Sequence, residues 1–217
     1  SYHDTRSFSE CSALATQAIL DIVPGAVVAT HRPPQAGDYS FNNIGLPSFF
    51  MLSSTMPDDV RAEKGYYDVS GCGANIAWHT ENDTMEIADR DVLLTDMKIY
   101  LLSTLRIANA DTLPFDWAAT CDEFLATIAG YQAASKGKPN LSASAAATQA
   151  LKAALATLAS APLAARNAAL MELARVLVPI NYTREPRFRH DPAYTVPPLP
   201  TLAVAASHTV AGYLLPE

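Results

Sequence analysis

The chain has 217 residues, of which 49% are hydrophobic and 17% are charged. This composition excludes a disordered chain and indicates a globular protein with one large domain or two small ones. The net charge of −7 argues against a nucleic-acid partner. No uninterrupted apolar run reaches the ~18 residues that a membrane span needs, so no membrane span is expected.

The three cysteines, Cys11, Cys72 and Cys121, lie far apart and show no metal-binding spacing, which excludes a zinc finger. They are expected to be free, buried thiols. Cys72 is the one of functional interest, because it stands between two glycines and close to His79 in the sequence.

The first predicted elements indicate a parallel sheet. Ser7 and Glu10 have the spacing of a capping box, which predicts a helix that begins there. A short buried strand over residues 26–30 should follow, then a short helix over 38–43 and a second buried strand over 46–53. Strand, helix and strand in this order favour a right-handed crossover between parallel strands. The long loop that follows leaves the carboxyl end of the second strand, where open α/β sheets bind ligands.

A long helix is predicted from Asp89, whose side chain suits the N-cap position. Apolar side chains recur along this helix at steps of three and four residues, which predicts the face that packs on the sheet. These residues are Leu93, Met97, Tyr100, Leu101, Leu105 and Ala108. The segment 109–114 ends the helix.

Three further helices are predicted in the second half of the chain. They cover residues 115–134, residues 142–159, and a segment that restarts at Pro162 and ends at Pro179. The last two helices carry leucine stripes, at Leu151, Leu155 and Leu158, and at Leu163, Leu170, Leu173 and Leu177. A proline-rich, irregular tail follows.

The change of character near residue 111 divides the chain into two predicted domains. Residues 1–110 have the α/β pattern, and residues 111–217 have an all-α pattern with a proline-rich segment.

His79 is the strongest candidate for chemistry in this sequence. It lies in a predicted loop, beside the hydroxyl of Thr80 and ahead of further oxygen-bearing side chains. An imidazole in such a loop can bind a metal through one ring nitrogen while an acceptor holds the other. An ordinary exposed or core histidine is the alternative that the loop context leaves open. The other histidines, His3, His31, His190 and His208, have no spacing that suggests a metal site.

The segments around His79 occur in an order that resembles a known family. They are Gly37-Asp38-Tyr39-Ser40-Phe41, Gly45-Leu46-Pro47, the predicted strand over 48–53, and the motif His79-Thr80-Glu81-Asn82-Asp83-Thr84. Over roughly residues 20–110, this set resembles the C-terminal part of the catalytic domain of zinc exopeptidases related to aminopeptidase Y and glutamate carboxypeptidase II. The resemblance implies a mainly parallel sheet and metal-assisted peptide hydrolysis.

The resemblance also implies roles for individual residues. His79 matches the last metal ligand of a two-zinc site. Thr80, Asp83 and Asp38 match positions that support the site or its loop. Trp78 stands where several family members have a tyrosine whose hydroxyl steadies the oxyanion. The indole N–H of Trp78 can donate a hydrogen bond but cannot accept one or ionise.

The rest of the family's metal site has no match in this sequence. The family uses an earlier histidine, a bridging aspartate, a Glu-Glu pair and another aspartate, and this chain contains no Glu-Glu pair. In the family these residues precede the segment that matches Ser1 onwards. The resemblance therefore implies the N-terminal portion of the same peptidase as a partner, two zinc ions as cofactors and a peptide as substrate. Because Ser1 stands where a Met would start a chain, a processed, cleaved or truncated chain is expected.

The second predicted domain resembles the helical dimerisation domain of the transferrin receptor, which some family members carry after the catalytic domain. This resemblance implies that the protein forms a homodimer. The alternative to an enzyme part is a non-catalytic association module, whose α/β piece has lost or never had a complete site.

Overall fold

The computed structural model describes residues 1–35, 39–49, 54–67, 75–136, 138–187, 189 and 195–206. The chain divides into two compact units. Unit 1 comprises Ser1–Pro33 and Phe49–Ala110, and unit 2 comprises Pro34–Ser48 and Asp111–Glu217. The sequence prediction places residues 34–48 in the first domain, whereas the structure groups them with the second.

Unit 1 contains a parallel pair of strands joined by a helix. Strand β1 (Tyr2–Arg6) leads into helix α1 (Ser9–Ile22), and strand β2 (Val28–His31) then pairs with β1 in parallel. Tyr2 aligns with Val28, and the register shifts before the next aligned pair. The mixed helix-and-strand class is confirmed at this coarse level. In the described part of the chain the sheet has two strands.

Two predictions about the first 50 residues are wrong, and one strand is not among the predicted elements. That strand, β1, is polar in sequence, and its pairing partner lies beyond a helix. The N-cap position of α1 is Phe8 rather than Ser7, and the Ser7 hydroxyl lies 2.8 Å from the hydroxyl of Ser12. Residues 46–49 are irregular rather than the start of a strand, and residues 50–53 lie outside the described residues.

Two short helices occupy the segments between β2 and residue 75. Helix α2 (Tyr39–Asn42) forms where the sequence predicts a short helix. Helix α3 (Asp58–Glu63) lies within the segment that was expected to be a loop, and none of its residues is buried.

Helix α4 (Arg90–Ala108) begins where the sequence predicts. Asp89 is its N-cap, and Asp89 Oδ1 accepts hydrogen bonds from the backbone amides of Asp91 and Val92 at 2.9 and 3.0 Å. The first amides of a helix have no partner within the helix, so a cap of this kind stabilises it by about 1 kcal/mol.

The predicted buried face of α4 is wrong. Ile99 is only 2% exposed and packs in the core of unit 1 with Tyr2, Ala18 and Ile19. Leu101 of the predicted face is 60% exposed, because the side of α4 that carries Ile99 meets the core instead. The other exposed members of that face are Leu93, Met97, Tyr100 and Leu105.

Unit 2 is built on the three long helices that the sequence predicts. They are α5 (Trp117–Ala134), α6 (Ser142–Leu158) and α7 (Leu163–Tyr182). Asp116 caps α5, with its Oδ1 accepting from the amides of Ala118 and Ala119 at 3.0 and 3.1 Å. No helix among the described residues is long and apolar enough to cross a membrane.

The prediction that Pro179 ends the last helix is wrong. Helix α7 continues through Pro179 to Tyr182. Proline has no amide hydrogen to donate, but its carbonyl still accepts. The Pro179 carbonyl accepts from the amide of Thr183 at 3.0 Å and from its hydroxyl at 2.8 Å. The proline therefore falls in the last turn, where one missing amide bond does not stop the helix.

The irregular proline-rich segment is fixed to the helices of unit 2 by hydrogen bonds. The Tyr131 hydroxyl of α5 donates to the Pro198 carbonyl at 2.6 Å. Asn181, which is fully buried, donates to Glu123 Oε2 at 2.8 Å and accepts from the Leu199 amide at 3.3 Å. The bonds to Pro198 and Leu199 satisfy backbone groups of a segment without regular structure, and the Asn181–Glu123 bond joins α7 to α5.

Candidate functional site

His79 lies in a series of tight turns that precedes α4. The amide of Trp78 donates to the Asn75 carbonyl at 3.1 Å, and the amide of Thr80 donates to the Ala77 carbonyl at 3.0 Å. The Asn75 side chain accepts from the Ala77 amide at 2.9 Å, which is the local bonding that asparagine favours in turns. The turns therefore hold His79 by backbone bonds on both sides.

The backbone of His79 has a left-handed conformation, with a φ of 61°. This conformation is uncommon outside glycine, although histidine adopts it more readily than most residues. It presents an exposed imidazole that stacks on the indole of Trp78, with ring centroids 3.8 Å apart and an interplanar angle of 24°.

The residues expected to support His79 have different surroundings. The Thr80 hydroxyl donates to the Ala77 carbonyl at 2.6 Å and so closes the turn beneath the imidazole. The Asp83 amide donates to the Thr80 carbonyl at 3.2 Å, and Asp83 is itself exposed. Asp38 lies outside the described residues, as does Cys72.

The described residues do not by themselves form a metal site. Among them, no group of three or more His, Cys, Asp or Glu side chains is arranged to hold a metal ion. A catalytic zinc normally takes three protein ligands, so His79 would need ligands from elsewhere.

The two described cysteines are buried and free, as the sequence predicts. Burial raises the pKa of Cys11, with the neighbouring Glu10 acting in the same direction. Burial also raises the pKa of Cys121. A raised pKa keeps a thiol protonated and poorly nucleophilic, so neither residue is suited to covalent catalysis.

The structure contains a buried polar cluster around Asp96 that the sequence does not predict. The Asp96 carboxylate accepts from the Tyr2 hydroxyl at 3.0 Å, and from the amide and the hydroxyl of Ser54 at 3.1 and 3.0 Å. Burial, and then the nearby negative charge of Asp96, raise the pKa of Tyr2 well above its ordinary value. Nothing local in the sequence distinguishes Asp96 from an exposed helix acid, so only the tertiary structure identifies this cluster.

Comparison of the chain with protein-family models, with curated proteins and with solved structures gives no significant match. The resemblance to zinc exopeptidases rests on the order of the sequence motifs around His79.

Proposed function

We propose that this chain is part of a zinc-dependent exopeptidase and supplies one metal-ligand histidine, His79. The observation that carries the proposal is the conformation of His79 within its motif. A non-glycine residue with a φ of 61° presents an exposed imidazole from a turn that local hydrogen bonds fix. Uncommon backbone conformations concentrate at functional sites, and this one coincides with the histidine of the motif.

The proposal requires a second polypeptide portion. One histidine cannot hold a catalytic zinc, and two-zinc hydrolysis needs further ligands and a base. The N-terminal portion of the peptidase would bring these groups to His79. Peptide hydrolysis would then be a property of the assembled protein, with Trp78 placed beside the metal ligand as a hydrogen-bond donor.

Zinc content tests this proposal directly. The 217-residue chain alone is expected to bind no stoichiometric zinc and to hydrolyse no aminoacyl or peptidyl substrate. In the assembly with the N-terminal portion, His79→Ala should lower zinc content and rate by more than the roughly 10–100-fold typical of residues that only support a ligand. The matched control is His31→Ala, because His31 is also exposed and its imidazole bonds to a backbone carbonyl, that of His3. Zinc-dependent turnover by the isolated chain, or full activity of the His79 variant assembly, would refute the proposal.

A second candidate function, a non-catalytic association module, is favoured by the exposed apolar face of α4. This face, defined by Leu93, Met97, Leu101 and Leu105, is continuous along the helix and exposed in the single chain. Monomeric soluble proteins rarely expose contiguous apolar patches of this kind without a partner. If the protein still associates with its partner, and substitutions of His79 leave the zinc content unchanged, the association module is favoured over the peptidase.

The homodimer that the sequence predicts would use the second domain, so its surface differs from the face of α4. Leu170 and Leu177 of the leucine stripe are buried within one copy, whereas Leu163 is exposed. Light scattering after size-exclusion chromatography, on the intact protein at micromolar concentration, should show a dimer if the stripe is an interface. Leu163→Lys would disrupt a dimer on α7, and Met97→Lys would disrupt one on α4, so the pair identifies the surface in use.

A further inference from the structure

Unit 2 has an open cavity of about 440 Å³ between the start of α5, the end of α6 and α7. This volume falls within the range of roughly 300–1,000 Å³ that is usual for small-molecule sites. Most of the wall is apolar, formed by side chains such as Phe115, Leu155 and Leu170. The cavity lies within a single unit and contains no residue of the His79 turn.

Trp117 lines this cavity and carries a hydrogen-bond donor without a partner. It is 2% exposed, and no acceptor among the described residues bonds its Nε1–H. Arg166 also lines the cavity, and its buried Nε–H has no acceptor in the described part of the chain. Buried donors are nearly always satisfied in folded proteins, and one left without a partner is destabilising by about 1–3 kcal/mol.

The other polar groups around the cavity are already engaged. Arg166 Nη1 donates to Thr112 Oγ1 at 3.0 Å, and Arg166 Nη2 donates to the Ala161 carbonyl at 2.9 Å. The carboxylate of Asp116 accepts from the first amides of α5, and Lys152 forms an ion pair with Asp122. Among the described residues that line the cavity, the buried donors without a partner are Trp117 Nε1–H and Arg166 Nε–H, and a molecule that satisfies them must offer acceptors.

The positive charge of Arg166 favours an acceptor that is negative. Lys152 is paired with Asp122, and the carboxylate of Asp116 caps the N-terminus of α5, so in the described lining the guanidinium of Arg166 is the cation left to meet a ligand. Hydrogen bonds from arginine to carboxylates are about twice as strong as bonds between neutral groups.

We propose that the cavity of unit 2 binds a small carboxylic acid with an apolar body, whose carboxylate accepts from Trp117 Nε1–H and Arg166 Nε–H. The apolar body contacts Phe115, Leu155 and Leu170. The site is independent of the His79 proposal, because it lies wholly in unit 2 and involves no metal.

Octanoate and 1-octanol are the matched probes, because they share a chain length and differ in the charged head group. Isothermal titration into the full 217-residue chain should give saturable octanoate binding, with a Kd of about 0.1–1 mM for a ligand of about ten non-hydrogen atoms. 1-Octanol, which lacks the carboxylate, should bind at least about 10-fold more weakly.

Substitutions at the two donors test the head-group contact. Trp117→Phe keeps an aromatic ring but removes the N–H, and should weaken octanoate binding about 5-fold or more. Arg166→Gln removes the charge and should weaken it about 10-fold or more. The control is Arg175→Gln on the same helix, because the Arg175 side chain is half exposed, pairs with Glu172 and does not line the cavity.

A third variant guards against unfolding of the donor variants. Ala156 is exposed on α6 and lines the cavity, so Ala156→Leu should narrow the cavity and weaken octanoate binding without disturbing the core. Ala153→Leu, on an exposed position that does not line the cavity, should leave binding unchanged. Equal affinity for octanoate and 1-octanol would overturn the proposal, and so would the absence of binding at an octanoate concentration of about 5 mM. Octanoate binding that both Ala156→Leu and Arg166→Gln leave intact would also overturn it.

Discussion

The hydroxyl of Tyr2 donates a hydrogen bond to Asp96 Oδ1 at 3.0 Å, although the two residues are 94 positions apart in the sequence. The bond joins β1 to α4 inside unit 1. Ser54 donates to the same carboxylate through its amide and its hydroxyl, so three segments of the chain meet at one buried charge. A buried carboxylate is tolerated only when donors surround it in this way.

Tyr2→Phe should destabilise unit 1 because it removes one donor from the buried carboxylate of Asp96. Hydrogen bonds to charged groups contribute about 1.5–3 kcal/mol, so the free energy of unfolding should fall by about that amount. Urea unfolding followed by circular dichroism measures the change. Tyr67→Phe is the control, because Tyr67 is 71% exposed and should show almost no effect. Equal effects of the two variants would contradict the role of the Tyr2–Asp96 bond.

The stability of unit 1 should fall at high pH through Tyr2. The pKa of Tyr2 is raised in the folded state, so above about pH 10 the unfolded chain loses this proton and the folded chain keeps it. Each further pH unit therefore lowers the contribution of Tyr2 to the free energy of unfolding by about 1.4 kcal/mol. The advantage of the natural chain over Tyr2→Phe should therefore be constant below about pH 9 and shrink between about pH 10 and 11.

The measurement for this pH effect is the free energy of unfolding in urea for both chains across that range. The raised pKa of Cys11 acts in the same direction, but it is common to both chains and cancels in the difference. The pH range ends at about 11, which is about one unit above the ordinary pKa of tyrosine. If the difference in free energy of unfolding between the two chains stayed constant over the whole range, Tyr2 would not be protected from ionisation.

Substitutions on α4 should separate its buried side from its exposed side. Ile99→Ala should lower the free energy of unfolding by about 2–4 kcal/mol, because Ile99 is in the core. Leu101→Gln should change it by less than about 0.5 kcal/mol, because Leu101 is exposed and glutamine is also a good helix former. Urea unfolding of the two variants provides the comparison. The reverse order of effects would support the apolar face that the sequence predicts.

Two glycines in unit 2 should respond in opposite directions to alanine. Gly45 has a φ of +93°, and a Cβ there would lie 2.3 Å from the Arg175 Cα, so Gly45→Ala should lower stability by more than about 3 kcal/mol. Gly130 lies within α5, and a Cβ there would meet no atom within 4 Å. Gly130→Ala should therefore raise stability by about 0.5–1 kcal/mol. Thermal unfolding of both variants provides the measurement. If Gly45→Ala left the stability unchanged, the backbone of residue 45 could not lie as close to α7 as the structure has it.

The sequence by itself determined the features that depend on near neighbours. Asp89 caps α4, and α5 and α6 begin and end within a few residues of their predicted limits, because caps, periodicity and turn residues act over a few positions. The turn that carries His79 is likewise built from local bonds of Asn75 and Thr80.

Only the tertiary structure decided the features that depend on distant segments. β1 is a strand because β2 returns beside it after a helix, and its own sequence carries no strand signal. The apolar periodicity of α4 correctly predicts a helix, but which side is buried depends on the segments that pack against it, here those bearing Tyr2 and Ile19. In the same way, Trp117 and Arg166 line one cavity only because three helices converge there. Local chemistry thus sets the elements, while burial and pairing are set by contacts between residues that the sequence leaves far apart.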